Sequence, residues 1–347
     1  MATVLVTGGA GYIGSHTCKA LAAAGHRPVV YDNLSNGHAW AVKWGPLIEA
    51  DILDQAALAQ TIEIYRPDAV IHFAGSIEAG ESVRGPGKYH GNNSFGSLSP
   101  LKVLVASGVG QVVFSSTAAV YGTPEQTPIP EDHPLLPINP YGNSKLAVER
   151  MLADYETAHG IRYVALRYFN AAGADPDGEI GEAHDPETHV IPLALRAAQD
   201  PEAGFTIFGT DYQTPDGTAV RDFVHVSDLA EAHVAALGFL SGADRSDCFN
   251  IGTGEGHSVS EIVKAVQETT RRRMQLTFGP RRPGDPAILV ADSAKARQVL
   301  GWEPQFLDIQ EIVATAHEWN SNGLPRQSQH MAARRDTAPL RPASDAA

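Results

Sequence analysis

The sequence predicts an α/β protein, a doubly wound parallel sheet followed by a smaller mixed α/β lobe towards the C-terminus. Three observations carry this. Over the first 170 residues, short β-branched or apolar runs alternate with helix-length amphipathic segments, the pattern that joins parallel strands through crossover helices. Most of these runs are uniformly apolar rather than alternating, as strands covered on both faces are. The chain has 347 residues, more than the ~100–200 of a typical domain, so a second lobe is expected.

Composition narrows the class. Apolar residues make up 43% and charged residues 19%, which excludes disordered, collagen-like and coiled-coil chains. The net charge of −14 opposes a nucleic acid or an anionic membrane, and no local basic patch offsets it. The two cysteines, Cys18 and Cys248, are far apart, which excludes a disulfide framework and fits a reducing compartment, the cytoplasm. Neither a cleavable leader nor a run of ~18 apolar residues is present, so neither secretion nor membrane spanning is expected.

Along the chain, the first strand (3–7) runs into Gly8, Gly11 and Gly14, which open an apolar-periodic helix reaching Ala24 and Gly25. Gly8 permits a tight turn, Gly11 lets a pyrophosphate approach the backbone, and Gly14 lets helix and strand pack closely; the arrangement is Rossmann-type. The second strand (28–31) leads to Asp32, which either accepts hydrogen bonds from an adenosine ribose, favouring NAD over NADP, or caps the turn before Asn33 and Ser35. The third (47–51) ends on Asp51, facing an adenine or capping the next helix, and the fourth spans 69–74. Between Arg84 and Leu101 stand Gly85, Gly87, Gly91, Gly96 and Pro100. Each glycine costs a helix ~1 kcal/mol and an interior proline ~3, so this segment is a poor helix former.

The fifth strand (112–116) delivers the Thr117 hydroxyl at its carboxyl end, where open α/β sheets hold ligands. Asn139 as cap and Pro140 in the first turn then start a helix with Tyr141 and Lys145 four residues apart on one face. The ammonium, with the positive nicotinamide ring of NAD+, lowers the phenol from ~10 towards neutrality and makes it a general base. Tyr141, Lys145 and Thr117 are therefore the candidate catalytic residues, with Thr117 bridging the substrate oxygen to Tyr141. A sixth strand (163–168) completes the unit. The expected division is 1–170 for NAD binding and catalysis, then 171–319 mainly for substrate, with some strands or helices returning to the first unit. Loops at 171–186, 210–217 and 279–286 belong to the substrate part, and 320–347 is expected to be a flexible tail.

Several dispersed motifs carry a resemblance: the glycine turn, Tyr31-Asp32-Asn33-Leu34, His72-Phe73-Ala74-Gly75, Phe114-Ser115-Ser116-Thr117, the Tyr141/Lys145 pair, Arg167-Tyr168-Phe169-Asn170, and Asp216-Gly217-Thr218 leading to Arg221-Asp222-Phe223-Val224-His225. From Val4 to about Glu318 the chain resembles the extended short-chain dehydrogenase/reductase family, and within it the C4 epimerases of UDP-hexoses. The resemblance implies tightly held NAD lined by Gly8, Gly11, Tyr12, Ile13, Gly14, Asp32, Asn33, Asn36, Asp51, Ile52, Phe73, Ala74 and Gly75. Asn92 lies nearby, and Tyr168 and Phe169 sit at the nicotinamide end. It implies that Tyr141 takes the proton of the sugar C4 hydroxyl while hydride passes to NAD+, that the 4-keto sugar turns, and that hydride returns to its other face. Arg221 and Arg282 match positions that contact the diphosphate, although Arg221 beside Asp222 also reads as a surface ion pair. Asn170, His189, Val190, Phe208, Tyr212 and Asp285 are implied around the rest of the nucleotide sugar.

The chain departs from the family at several points. Ile77 replaces a lysine near the cofactor, removing one charge contact. Leu289 replaces a bulky tyrosine and makes room for an N-acetylated hexose. Thr117 stands where serine is frequent, and either hydroxyl serves. The 84–101 segment belongs to the family's dimer interface, so the implied homodimer meets an unusual sequence there. UDP-N-acetylhexosamine and UDP-pentose epimerases remain alternatives. A 4,6-dehydratase lacks a carboxylate here, since Ala118 and Ala119 follow Thr117, and Tyr141 with Lys145 argues against a non-catalytic NAD sensor. His184, His189 and His225 match no common ligand spacing and neither acid-rich loop supplies a third ligand, so no metal is expected. Cys18 reads as a packed residue of the first helix.

Overall fold

The computed structural model describes residues 1–323 apart from Pro201 and Pro283. Its uniformly apolar segments form β1 (Thr3–Thr7), β2 (Arg27–Asp32), β3 (Leu47–Glu49), β4 (Ala69–His72), β5 (Gln111–Ser115) and β6 (Arg162–Tyr168). Helices α1 (Tyr12–Ala23), α2 (Gln55–Tyr65), α3 (Ala79–Arg84), α4 (Pro86–Tyr89), α5 (Gly96–Ser107) and α6 (Pro140–His159) connect them. Successive side chains of β1 divide between two cores, because a strand alternates its faces. Val4 and Val6 pack with Leu21, Leu229 and Leu237, while Leu5 packs with Leu58, Leu104 and Val148 on the other face.

The remaining elements are β7 (Asn170–Ala172), α7 (Val190–Gln199), β8 (Phe205–Phe208), β9 (Val220–Arg221), β10 (Phe223–His225), α8 (Val226–Gly242), β11 (Asp247–Ile251), β12 (His257–Ser258), α9 (Val259–Thr270), β13 (Leu276–Gly279), β14 (Ile288–Leu289), α10 (Ala294–Leu300) and α11 (Ile309–Glu318). The principal sheet is parallel throughout, in the order β3-β2-β1-β4-β5-β6-β11, so β11 is a strand from beyond residue 170 that returns to it. The other strands make short sheets of two or three, over a separate core built largely from α7, α9 and α11. Among the described residues no helix is long and apolar enough to cross a membrane.

Two strands end two residues earlier than the sequence suggests. β4 stops at His72 because the N–H groups of Phe73 and Ala74 both donate to the Thr7 carbonyl, at 2.8 and 3.1 Å, which ends the ladder. β3 stops at Glu49, before the turn that Asp54 closes onto Asp51 O at 2.9 Å. The expected tail also begins later, since 320–323 lie in a wide π turn (Trp319–Gly323) after α11; residues 324–347 lie outside the described residues.

The glycine- and proline-rich run between Arg84 and Leu101 leaves the helix only at Gly85 (φ −131°, ψ 59°), between α3 and α4. From Pro86 to Ser107 the chain stays helical, through α4, a π segment (His90–Phe95) and α5, with Pro100 inside α5. A π turn is a regular way to absorb the distortion a proline imposes. Gly96 contributes close packing, since a Cβ there would meet Ile52 Cδ1 at 2.8 Å. Burial of Tyr89, Leu101 and Leu104 offsets the poor helix propensity of the glycines.

α6 is fixed to the sheet by a buried ion pair. Arg167 Nη2 and Nε donate to Glu149 at 2.7 and 3.1 Å, and Ser116 Oγ donates to the same carboxylate at 2.5 Å. Removing one partner of such a pair costs about 3–5 kcal/mol, because the other charge stays buried. Glu149→Gln is therefore expected to lower the unfolding free energy in urea by that amount, and Glu149→Leu/Arg167→Met to recover much of it. Equal losses in the single and double variants would contradict this.

Candidate active site

The first loop forms a backbone cradle. Gly8 has φ +75°, and a Cβ there would meet Ala74 N at 2.6 Å; at Gly14 it would meet Gly8 O at 2.3 Å. No side chain caps α1, and its first turn holds no acidic residue, so its free N–H groups and dipole are left for an anion. Asp32 closes the cradle by accepting from Ala10 N (3.0 Å) and Leu34 N (2.8 Å). Burial raises the Asp32 carboxyl, and these two N–H groups oppose the rise. Each oxygen keeps a lone pair, so Asp32 both orders the turn and retains capacity for a ribose hydroxyl.

Asn33 Nδ2 donates to Asp51 at 2.8 Å, and Ile52 is buried behind them. Asn36 lines a small pocket with Gly11 and Tyr12, and the Tyr12 hydroxyl donates to Gly173 O at 2.6 Å. Phe73 leans on His233, Gly75 lies beside Asn93 and Lys145 Nζ, and Asn92 Nδ2 donates to Ser76 Oγ at 3.2 Å. Ile77 is half-buried just beyond Ser76. The residues fit a dinucleotide, because the cradle presents N–H groups and tolerates no side chain at Gly8 or Gly14.

The Tyr141 turn is built as its sequence suggests, with Asn139 Oδ1 accepting from Gly142 N at 2.8 Å ahead of Pro140. Lys145 is buried, donates from Nζ to Ser115 O at 2.8 Å and lies 5.1 Å from the Phe114 ring centroid. Burial lowers its ammonium to about 8. Among the protein's own groups, burial, then Tyr168, push the Tyr141 phenol well above its ordinary value, and only the Thr117 hydroxyl pulls it down. Thr117 Oγ1 also accepts from Ala119 N at 3.1 Å, and the Tyr168 hydroxyl lies 2.9 Å from Ser115 Oγ. The protein's own groups thus favour the protonated phenol.

On the other side, Arg221 pairs with Asp285 rather than with Asp222, and it donates to Val220 O (2.7 Å) and Pro286 O (2.8 Å). The alternative of an Arg221–Asp222 pair is corrected. Asp222 is buried and accepts from Thr253, Gly254 and Ala291, leaving no direction for the guanidinium. Arg282 is exposed and lies 4.3 Å over the Phe208 ring, while the Tyr212 hydroxyl donates to Asp285 O at 3.4 Å. Leu289 pairs in register with Arg221 and packs on the cluster holding Phe169 and Tyr121; Asn170 N donates to Asp222 O at 2.9 Å. Phe208, Tyr212, Arg221, Arg282, Asp285 and Leu289 are thus linked in one neighbourhood. His189 caps α7 and Val190 begins it, at the end of the loop that approaches Tyr12 through His184.

Sequence reasoning missed two features. Ser116, Tyr121, Glu149, Arg167 and Asn250 form one buried network, in which Tyr121 donates to Asn250 Oδ1 at 2.7 Å and Arg167 Nη1 to Tyr121 at 3.0 Å. Ser116 and Arg167 stood in the quoted motifs, but nothing there showed that they meet. Glu182, Glu187, His184 and His189 also converge, correcting the view that no acid accompanies the histidines; His225 lies elsewhere, 3.1 Å from Thr315 Oγ1. Although burial opposes both shifts, Glu182 holds His189 well above its ordinary value, and the two imidazoles hold Glu182 well below the usual carboxylate range. The acidic Asp175, Asp177 and Glu179 are instead joined by Lys19.

The model of the NAD dependent epimerase/dehydratase family matches residues 4–252. The chain is 52% identical over 318 residues to a UDP-glucose 4-epimerase of Rhizobium meliloti, covering 92% of this chain and 97% of that one. It superposes with TM-score 0.89 on the Brucella ovis UDP-glucose 4-epimerase in complex with NAD, at 52% identity, covering 91% of this chain and 98% of that one. A Stenotrophomonas maltophila UDP-glucose-4-epimerase with bound NAD and formylated UDP-arabinopyranose gives TM-score 0.89 at 38% identity, covering 96% and 100%.

The lowered Lys145 fixes a sign for linkage. Its folded value, about 8, lies below the ordinary 10.5, so the unfolded chain binds more protons between them and stability rises with pH across that window. Cofactor-free wild type is expected to gain stability relative to Lys145→Met between about pH 8 and 10.5, read by chemical denaturation. A constant difference would show that this ammonium is not buried in a low-dielectric site. Gly14→Val is expected to purify without NAD, because its side chain would occupy the turn.

Proposed function

This chain belongs to the NAD dependent epimerase/dehydratase family, and from that premise we propose that it inverts C4 of a UDP-hexose, interconverting UDP-glucose and UDP-galactose through a transient 4-keto sugar. The observation that carries this is the buried Tyr141 phenol against the Thr117 hydroxyl, with Lys145 one turn further on α6. Bound in the glycine cradle, NAD would supply reversible hydride acceptance at C4 and the positive charge of its nicotinamide ring.

Tyr141 accepts the C4 hydroxyl proton and later returns it. Thr117 holds the oxygen within reach of the phenol, and Lys145 stabilises the phenolate electrostatically. Inversion requires that the hexose turn while the nucleotide stays fixed, so binding energy must act on the diphosphate rather than on the sugar ring. Arg282, which no described carboxylate pairs, and Arg221 beside Asp285 are the cations assigned to the diphosphate. Asn170, His189, Val190, Phe208 and Tyr212 are assigned to the rest of the nucleotide sugar. Ile77, in place of a lysine, removes one charge contact to NAD.

A UDP-pentose or UDP-N-acetylhexosamine substrate is the second reading. The half-buried Leu289 leaves room on the variable side of the sugar, and a solved neighbour holds a UDP-pentose derivative. The same reading assigns a homodimer across the helical run 79–107, where Val83 and Phe95 are exposed, and a cytoplasmic setting that the free Cys18 and Cys248 suit.

Purified protein is expected to interconvert UDP-galactose and UDP-glucose without added reductant, and Tyr141→Phe to lower kcat by about 10²–10⁴ with NAD content unchanged. Undiminished turnover in Tyr141→Phe would contradict the assignment. NAD retention without conversion of any UDP-hexose, UDP-pentose or UDP-N-acetylhexosamine would point to a sensor.

A further inference from the structure

The loop preceding α7 carries a set of ligating groups of which the epimerase reading uses only His189. Glu182, His184, Glu187 and His189 fall within eight residues, and one ligand atom from each lies within 4.8 Å of the others. His184 Nδ1 and His189 Nδ1 both face Glu182 Oε1, at 2.9 and 2.7 Å. His189 Nδ1 lies 3.1 Å from Glu187 Oε1, and His184 Nδ1 lies 4.0 Å from Glu187 Oε2. We propose that these four side chains bind one divalent first-row transition ion, through both Nδ1 atoms, Glu182 Oε1 and Glu187 Oε2.

Three features support a metal centre over a simple hydrogen-bonded latch. The first is spacing: metal bonds of about 2.0–2.1 Å in tetrahedral geometry separate ligand atoms by about 3.3–3.4 Å, and the three distances between proposed ligand atoms, 2.7, 2.9 and 4.0 Å, bracket that value. The second is the outer shell. Glu187 Oε1 accepts the N–H groups of Thr188 and His189 at 2.7 and 2.8 Å, which orients the carboxylate and leaves Oε2 to ligate. Trp319 Nε1 donates to Glu182 O at 2.9 Å, and Thr188 Oγ1 donates to Glu78 at 2.6 Å, so both ends of the loop are held. Metal sites depend on such partners. The third is charge: ligation through Nδ1 displaces the His189 proton, and the two carboxylates, with side-chain exposures of 7% and 15%, then sum to −2, which a divalent ion cancels.

Mixed imidazole and carboxylate donors suit Zn²⁺, Co²⁺, Ni²⁺ or Mn²⁺ rather than Ca²⁺ or Mg²⁺, which take all-oxygen shells. His184 also lines the small pocket with Gly11, Tyr12 and Asn36, so a bound ion would clasp this loop against the phosphate-binding turn.

The proposal does not rest on the epimerase reading, and its test does not read turnover. Untagged full-length protein, stripped with a chelator, is titrated with Co²⁺ and the ligand-field absorption followed, then with Zn²⁺ by calorimetry. One saturable equivalent is expected, with Zn²⁺ displacing Co²⁺. Glu182→Gln, His184→Ala and the milder His184→Gln, each checked by circular dichroism, are expected to lose more than the roughly 10–100-fold of affinity that an outer-shell change costs. Absence of a saturable equivalent in wild type, or affinity unchanged in the folded variants, would overturn the site and leave only a latch of ion pairs.

Discussion

A lysine ammonium taken out of water, with one carbonyl as its hydrogen-bond partner, is the constraint on which the site depends. Lys145 reaches Ser115 O at the carboxyl end of β5, and burial alone pulls it down to about 8. Keeping it there requires α6 to lie fixed against the sheet. The start of α6 is set by the Asn139 cap and Pro140, and two turns along the same face Glu149 is locked to Ser116 and Arg167. Tyr141, Lys145 and Glu149, spaced four apart, are all buried, so one helix face carries proton chemistry, charge and anchorage in succession.

The two sides of the cleft are built from different materials. On the cofactor side the contact surface is mostly backbone, and steric limits at Gly8 and Gly14 make it unforgiving. The other side is side chains on two- and three-stranded fragments: Arg221 with Asp285, Arg282 over Phe208, and Tyr212. A rigid cradle beside an adaptable surface is what an enzyme needs if it must retain a dinucleotide and let a hexose turn.

Much of this was legible in the sequence for identifiable reasons. Strands buried on both faces are apolar throughout, so β1, β2, β4, β5 and β6 could be read to within two residues, and the capped start of α6 follows from local preferences of Asn and Pro. The helical run through Gly91, Gly96 and Pro100 was not legible, because a π turn and the close packing of Gly96 on Ile52 outweigh propensity. Nor was the partner of Arg221, since Asp285 is 64 residues away in sequence whereas Asp222 is adjacent. The Glu182–His189 cluster depends on loop geometry that spacing does not encode. That the protein's own groups raise the Tyr141 phenol was not legible either, because this comes from burial and from Tyr168, which helix spacing does not encode.

The account therefore turns on a phenol that the protein alone holds protonated and that becomes acidic only when two cations face it. Ultraviolet tyrosinate titration of the NAD-loaded protein, as a difference against Tyr141→Phe, measures this directly. One tyrosine is expected to ionise well below the ordinary ~10, and to move upward in Lys145→Met. A titration in which no tyrosine ionises below ~10, or in which Lys145→Met leaves the low-pH ionisation in place, would contradict the account.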